Sequence, residues 1–82
     1  MPGRLRPLSG GEIVAVLSRF GFKILSQRGS HVKLRRTGPR GEKQTLVVPT
    51  HEELDRGTLR AVFQQASRYI AEDDLRPYFY TD

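Results

Sequence analysis

The chain has 82 residues, with 14 Lys and Arg against 9 Asp and Glu, a formal net charge of +5 and no cysteine. A chain this short has room for one hydrophobic core, so residues 1–82 read as a single domain and a multi-domain enzyme or a Rossmann nucleotide-binding unit is excluded. Without cysteine there are no disulfides, no thiolate metal sites and no Cys nucleophile. No apolar run approaches the ~18 residues of a membrane span, and the basic start lacks the apolar stretch of a secretory signal, so the expectation is a cytoplasmic protein with no membrane partner.

Ser9-Gly10-Gly11-Glu12 has the spacing of a capping box. Ile13, Val16, Leu17 and Phe20 follow at i, i+3, i+4 and i+7, one face of a helix of about 10 to 12 residues, and Gly21 suits its left-handed end. Phe22 to Gln27 begins a strand, and Arg28-Gly29-Ser30 is a turn signal. His31 to Thr37 alternates, with Val32 and Leu34 on one face and His31, Lys33 and Arg35 on the other. After the loop Gly38-Pro39-Arg40-Gly41, a third strand over Lys43 to Pro49 sets Leu46 and Val48 against Thr45 and Val47. Thr50 or Asp55 can cap the next helix, whose stripe is Leu59, Val62, Phe63, Ala66 and Ile70. A short helical turn before Pro77 is expected in the tail, and the pattern leaves Tyr78-Phe79-Tyr80 unplaced.

The order α-β-β-β-α with short connections implies an antiparallel meander. Two helices with one apolar stripe each cover one sheet face, giving an α+β two-layer sandwich whose other face is open to solvent. The core spans about residues 8–70, and 71–82 is an acidic, aromatic tail.

Parity sets the register. Pairing residues that sum to 80 in the second hairpin matches Val32 with Val48 and Leu34 with Leu46, and puts His31 opposite Pro49; a slip of one would bury the wrong face. A sum of 58 in the first hairpin pairs Ile24 with Leu34 and leaves Arg28-Gly29-Ser30 as a three-residue loop. On this register Leu25, Val47, His31, Lys33 and Arg35 lie on the open face, and Arg36 points to the other. If the chain stays extended through Thr50, His51 shares the open face with His31.

Charge points the same way. Residues 1–70 hold 13 basic and 5 acidic side chains, and Arg19 to Lys43 holds eight basic residues and one acid, Glu42. This density fits a polyanion, nucleic acid being the usual one. Imidazoles titrate near neutral pH and suit proton transfer. Two of them flanking a phosphate divide the work: one takes the 2′-OH proton, the other protonates the leaving 5′ oxygen, and a cyclic phosphate remains without metal or cofactor. Arg28, Lys33 and Arg35 would stabilise charge developing on the phosphate. His51 has a plainer alternative, packing at or capping the second helix. The N-terminus of that helix, with Arg56, Gly57, Thr58 and Arg60, is a second phosphate candidate, against Thr58 capping and Arg60 solvated. Glu72-Asp73-Asp74 reads as complementing a helix dipole rather than binding a metal.

Leu8-Ser9-Gly10, Gly21-Phe22, Gln27-Arg28-Gly29-Ser30-His31, Val47-Val48-Pro49-Thr50-His51, Gly57-Thr58-Leu59-Arg60 and Gln65-Ala66 occur in this order, and the set resembles the HicA family of toxin endoribonucleases over about Leu8 to Ala66. The resemblance implies a fold like the double-stranded RNA-binding domain, cleavage of messenger RNA, and neutralisation by a HicB-type antitoxin. It places the catalytic histidine at His31 and a second motif histidine at His51. From the charge, the open face and the helix N-terminus, the RNA contacts expected are Arg28, Ser30, Lys33, Arg35, Arg56, Gly57, Thr58 and Arg60. A non-catalytic RNA-binding module of the same fold is the alternative. The chain departs from the family where Ser67-Arg68-Tyr69-Ile70 can prolong the last helix.

Overall fold

The computed structural model describes residues 3–81; Met1, Pro2 and the last acid of the tail, Asp82, lie outside the described residues. Helix α1 (Gly10–Arg19) starts as its sequence requires: the Ser9 hydroxyl accepts the Glu12 N–H at 3.0 Å and the Glu12 carboxylate accepts the Ser9 N–H at 2.8 Å. It ends with Gly21 N–H bonded to Ser18 O and Phe22 N–H to Leu17 O, the paired bonds of a Schellman stop. Strands β2 (Lys23–Arg28), β3 (His31–Thr37) and β4 (Lys43–Pro49) form an antiparallel meander in that order. Helix α2 (Arg56–Ala66) follows, with Asp55 rather than Thr50 as its cap. Val32, Leu34, Leu46 and Val48 are buried from the sheet, and Ile13, Leu17, Leu59, Val62, Phe63 and Ala66 from the two helices. The α+β sandwich with one open sheet face is therefore present.

The second hairpin has the expected register, including Val32↔Val48, Leu34↔Leu46 and His31↔Pro49. The first does not keep one sum throughout. Ile24 pairs with Leu34 as expected, but a bulge at Leu25 shifts the rest, so that Ser26 pairs with Lys33 and Arg28 with His31. The turn is the two-residue Gly29-Ser30, not a three-residue loop. Gly29 has φ +55 and among the described residues no non-glycine residue has positive φ, the requirement of a II′ turn, which accepts glycine first and matches the twist of its strands. A two-residue turn consumes one residue fewer than expected, and the bulge absorbs it.

Two features lie beyond the expected five elements. A third helix, α3 (Glu72–Phe79), passes through Pro77 rather than stopping before it, and two-residue strands β1 (Arg4–Leu5) and β5 (Tyr80–Thr81) pair the chain's two ends. Proline removes one donor from α3, and the burial of Leu75 and Phe79 outweighs that loss. The core thus extends past residue 70. The aromatic end finds its place here: Tyr78 meets Phe20 edge-on at 5.8 Å, and Phe79 and Tyr80 meet Phe63 at 5.3 and 5.2 Å. Helix α2 stops at Ala66 and gives way to a turn, with Arg68 N–H reaching back to Gln65 O, so the expected prolongation to Ile70 does not occur, although Ile70 is buried.

Arg36 leaves β3 on the helix side. Its guanidinium donates to Phe20 O at 2.7 Å, Tyr69 O at 2.6 Å and Gln44 Oε1 at 2.6 Å, and stacks on Phe22 at 4.8 Å. One side chain thereby serves a carbonyl at the C-terminal end of α1, another in the turn after α2, and the buried Gln44. Replacing it with Met keeps much of the stem's packing but strips these acceptors of their donor. Arg36→Met is expected to destabilise the fold by about 2–4 kcal/mol, read as a lower urea midpoint; a midpoint within error of the parent chain would refute this role.

Candidate functional site

The pleat of β3 decides which side chains meet. Burying Val32 and Leu34 under the helices turns His31, Lys33 and Arg35 to the open face. On that face the strands form rows. His31 stands between Arg28 and Pro49; the next row is Ser26, Lys33 and Val47; Lys23, Arg35 and Thr45 follow. Ser26, Arg28, His31, Lys33 and Val47 line a hollow of about 420 Å³, with no acidic side chain in its wall among the described residues. His31 is exposed at its rim.

The bulge matters most here. An unbroken sum of 58 would set Gln27 beside His31 and leave Arg28 in the loop. With Leu25 looped out, Gln27 pairs with Val32 instead, and Ser26 and Arg28 join the histidine's face. Sequence parity therefore missed Ser26 as a wall of the site. The signal that points to it is the Gly-Ser pair, a recognised two-residue turn sequence.

His51 does not line this hollow. Thr50 N–H donates to Ser30 O at 2.7 Å, so pairing does persist one residue past Pro49. Beyond that the chain turns to α1: the His51 carbonyl accepts the Gly10 N–H at 2.9 Å. Gly10 is required there, since a Cβ would fall within 2.0 Å of Pro49 O. The His51 side chain is exposed, on the α2 side, where its charge contributes to lowering the Asp55 pKa.

Ser30 lies in the turn beside His31, with its carbonyl engaged by Thr50. Arg35 sits further along the face, its Nε donating to Thr45 Oγ1 at 3.2 Å. Arg56, Gly57, Thr58 and Arg60 occupy the first turns of α2, apart from the hollow. That helix end already holds an anion, because the Asp55 carboxylate accepts the Thr58 N–H at 2.8 Å. The phosphate seat expected there is partly filled by the chain itself. Among the described residues no three His, Asp or Glu side chains converge as a metal site, and no helix is long and apolar enough to cross a membrane.

Hydrogen bonds from the Thr58 side chain and N–H, and to a smaller extent the His51 charge, hold the Asp55 carboxyl below the usual aspartate range. Its folded pKa is depressed, so its contribution to stability is full above the unfolded value and disappears as pH falls through the folded one. Asp55→Asn keeps an acceptor but does not titrate. The stability gap between parent and Asp55→Asn, measured by urea unfolding, should narrow between pH 7 and about pH 3; a gap independent of pH would refute the assignment.

A family model described as the HicA toxin of bacterial toxin–antitoxin systems matches residues 10–67. That span runs from the first residue of α1 to the end of α2 and includes the whole hollow. No curated protein matches the chain.

Proposed function

The chain belongs to the HicA family of bacterial toxin–antitoxin toxins, and from this premise we propose that it is an endoribonuclease acting on messenger RNA in the cytoplasm, with His31 as its general base. The observation that carries the reading is the hollow: an exposed imidazole with Arg28 as its cross-strand neighbour and Lys33 in the next row, on a wall free of acids among the described residues.

Neutral His31 takes the proton of a ribose 2′-OH. The freed oxygen attacks the adjacent phosphorus and the bond to the 5′ oxygen breaks, leaving a 2′,3′-cyclic phosphate. The departing oxygen takes a proton from solvent, which reaches this exposed face, and the imidazolium returns its own proton to solvent. Arg28 and Lys33 hold the charge that gathers on the non-bridging oxygens. The step calls for no metal. In this reading His51 stands outside the proton transfer and acts at the α2 N-terminus. Ser30 contacts the strand beside the scissile phosphate, Arg35 contacts it further along the open face, and the exposed cations Arg56 and Arg60, with Gly57 and Thr58 between them, add contacts away from it.

The partner that silences the toxin is a HicB-type antitoxin, which on this reading lays an acidic surface over the open face and buries His31. Such a cover removes the imidazole from RNA and neutralises the cations together.

Purified protein incubated in EDTA with end-labelled RNA should yield cyclic-phosphate ends. His31→Ala should slow cleavage by about 10²–10⁴-fold while RNA affinity and urea midpoint stay unchanged. Cleavage by His31→Ala at the parent rate would remove the assignment. RNA bound tightly but left intact by the parent chain would instead favour a non-catalytic binding module.

A further inference from the structure

A second hollow of about 390 Å³ lies further along the sheet, lined by Gly21, Lys23, Ile24, Leu25, Arg35, Arg36 and Thr37. Arg36 is spent on backbone carbonyls, which leaves Lys23 and Arg35 as its cations. These two are direct cross-strand partners. Like charges directly opposite each other destabilise a sheet, and among the described residues no acid lines this hollow either. The Arg28–His31 row carries the same cost whenever the imidazole is protonated. An anion lying along both rows relieves it.

Apolar exposure follows the same division. Ile24, Leu25 and Val47 are 58%, 50% and 38% exposed, and they are the exposed large hydrophobic residues among those described. Val47 lines the first hollow, Ile24 and Leu25 the second. Each hollow therefore offers a cation pair for phosphate and a bare aliphatic surface for a base. The second repeats the composition of the first without the imidazole. Its arginine is also oriented in advance, since the Thr45 hydroxyl takes the Nε–H and leaves the outer guanidinium nitrogens for a phosphate.

We infer that the second hollow is a nucleotide subsite, binding a phosphate and base of the same single strand at a distance from the cleaved bond. The inference rests on the reading of the first hollow as a phosphodiester site. His31 and Arg35 are four residues apart on β3, ~13 Å along the strand. That span equals about four nucleotides of stacked strand at ~3.4 Å each, and fewer of an unstacked one. A dinucleotide that fills the first hollow does not reach the second. The subsite contributes affinity, and it works on one side of the scissile phosphate only, because His31 stands at the end of the sheet, beside the turn.

The test uses 2′-O-methyl oligonucleotides, which lack the nucleophile and stay intact, so binding is measured whether or not His31 is catalytic. Fluorescence anisotropy against a length series should show affinity rising in a step once the strand spans both hollows. Lys23→Gln and Leu25→Ser should each abolish the step, weakening the longer strands about tenfold and leaving the dinucleotide unaffected. Lys23→Gln should also lower the salt slope by about 0.7, because one phosphate is no longer neutralised. Weaker binding at all lengths alike, or at none, overturns the subsite. Unchanged RNA affinity combined with loss of inhibition by the antitoxin assigns the hollow to the protein partner and overturns it equally. Failure of the nuclease reading looks different: cleavable RNA stays intact while the length step and its sensitivity to Lys23→Gln persist.

Discussion

A single strand supports both halves of this molecule. β3 is the middle strand, paired on both edges, and its side chains alternate without a break from His31 to Thr37. Val32 and Leu34 are 3% and 0% exposed. Turning them outward would forfeit roughly 1.5–3 kcal/mol each and drive His31 and Lys33 into the apolar layer, a larger penalty for charged groups. The hydrophobic effect on one face therefore fixes the chemistry on the other. The imidazole and the cations of the open face are held out by what their neighbours bury.

Arg36 breaks the polarity of that alternation. It faces the helices, and burial there is tolerated because its guanidinium is satisfied by Phe20 O, Tyr69 O and Gln44. Gln44 in turn donates to Glu42, which also accepts the Arg40 N–H and so orders the β3–β4 loop. Sheet, loop, the end of α1 and the turn after α2 meet in this network at the end of β3 opposite His31. At the other end, Gly10 seats α1 against Pro49 and Thr50. The platform is thus clamped at both ends, which leaves the open face free to consist of exposed side chains with few bonds of their own. A third clamp joins the termini: β1 and β5 pair, Arg6 N–H donates to Phe79 O at 2.8 Å, and Arg76 covers the Tyr80 ring.

In the nuclease reading, the open face binds first and reacts second. Its cations lie in rows with no acids among them in the described residues. That arrangement is costly in the free protein and favourable with a polyanion in place. An exposed imidazole gains little from desolvation, so in the nuclease reading positioning against Arg28 and Lys33 supplies most of the effect. The same exposure makes the site easy to switch off, since a cover of complementary charge removes access and satisfies the cations together. The acidic first turn of α3, Glu72, Asp73 and Asp74, takes no part in this. It lies at a helix N-terminus, where negative charge is favoured.

Much of this was legible in the residues. Alternation in 31–37 and 43–49 fixed the second hairpin's register, the face of His31, and the opposite pointing of Arg35 and Arg36. The capping box at Ser9 and Glu12 and the stop at Gly21 set α1, because these are local hydrogen bonds that nearby residues alone decide. Three things needed the folded chain. The bulge at Leu25 reconciles a two-residue turn with an Ile24–Leu34 pair, a compromise between two distant constraints, and it is what sets Arg28 rather than Gln27 beside His31. His51 leaves the hollow because Gly10, forty-one positions earlier, holds its carbonyl. The tail's aromatic residues found their partners on Phe20 and Phe63, which only packing brings near. Periodicity along a chain encodes which way a side chain faces; which residues then stand beside it depends on turns, bulges and contacts between segments far apart in sequence.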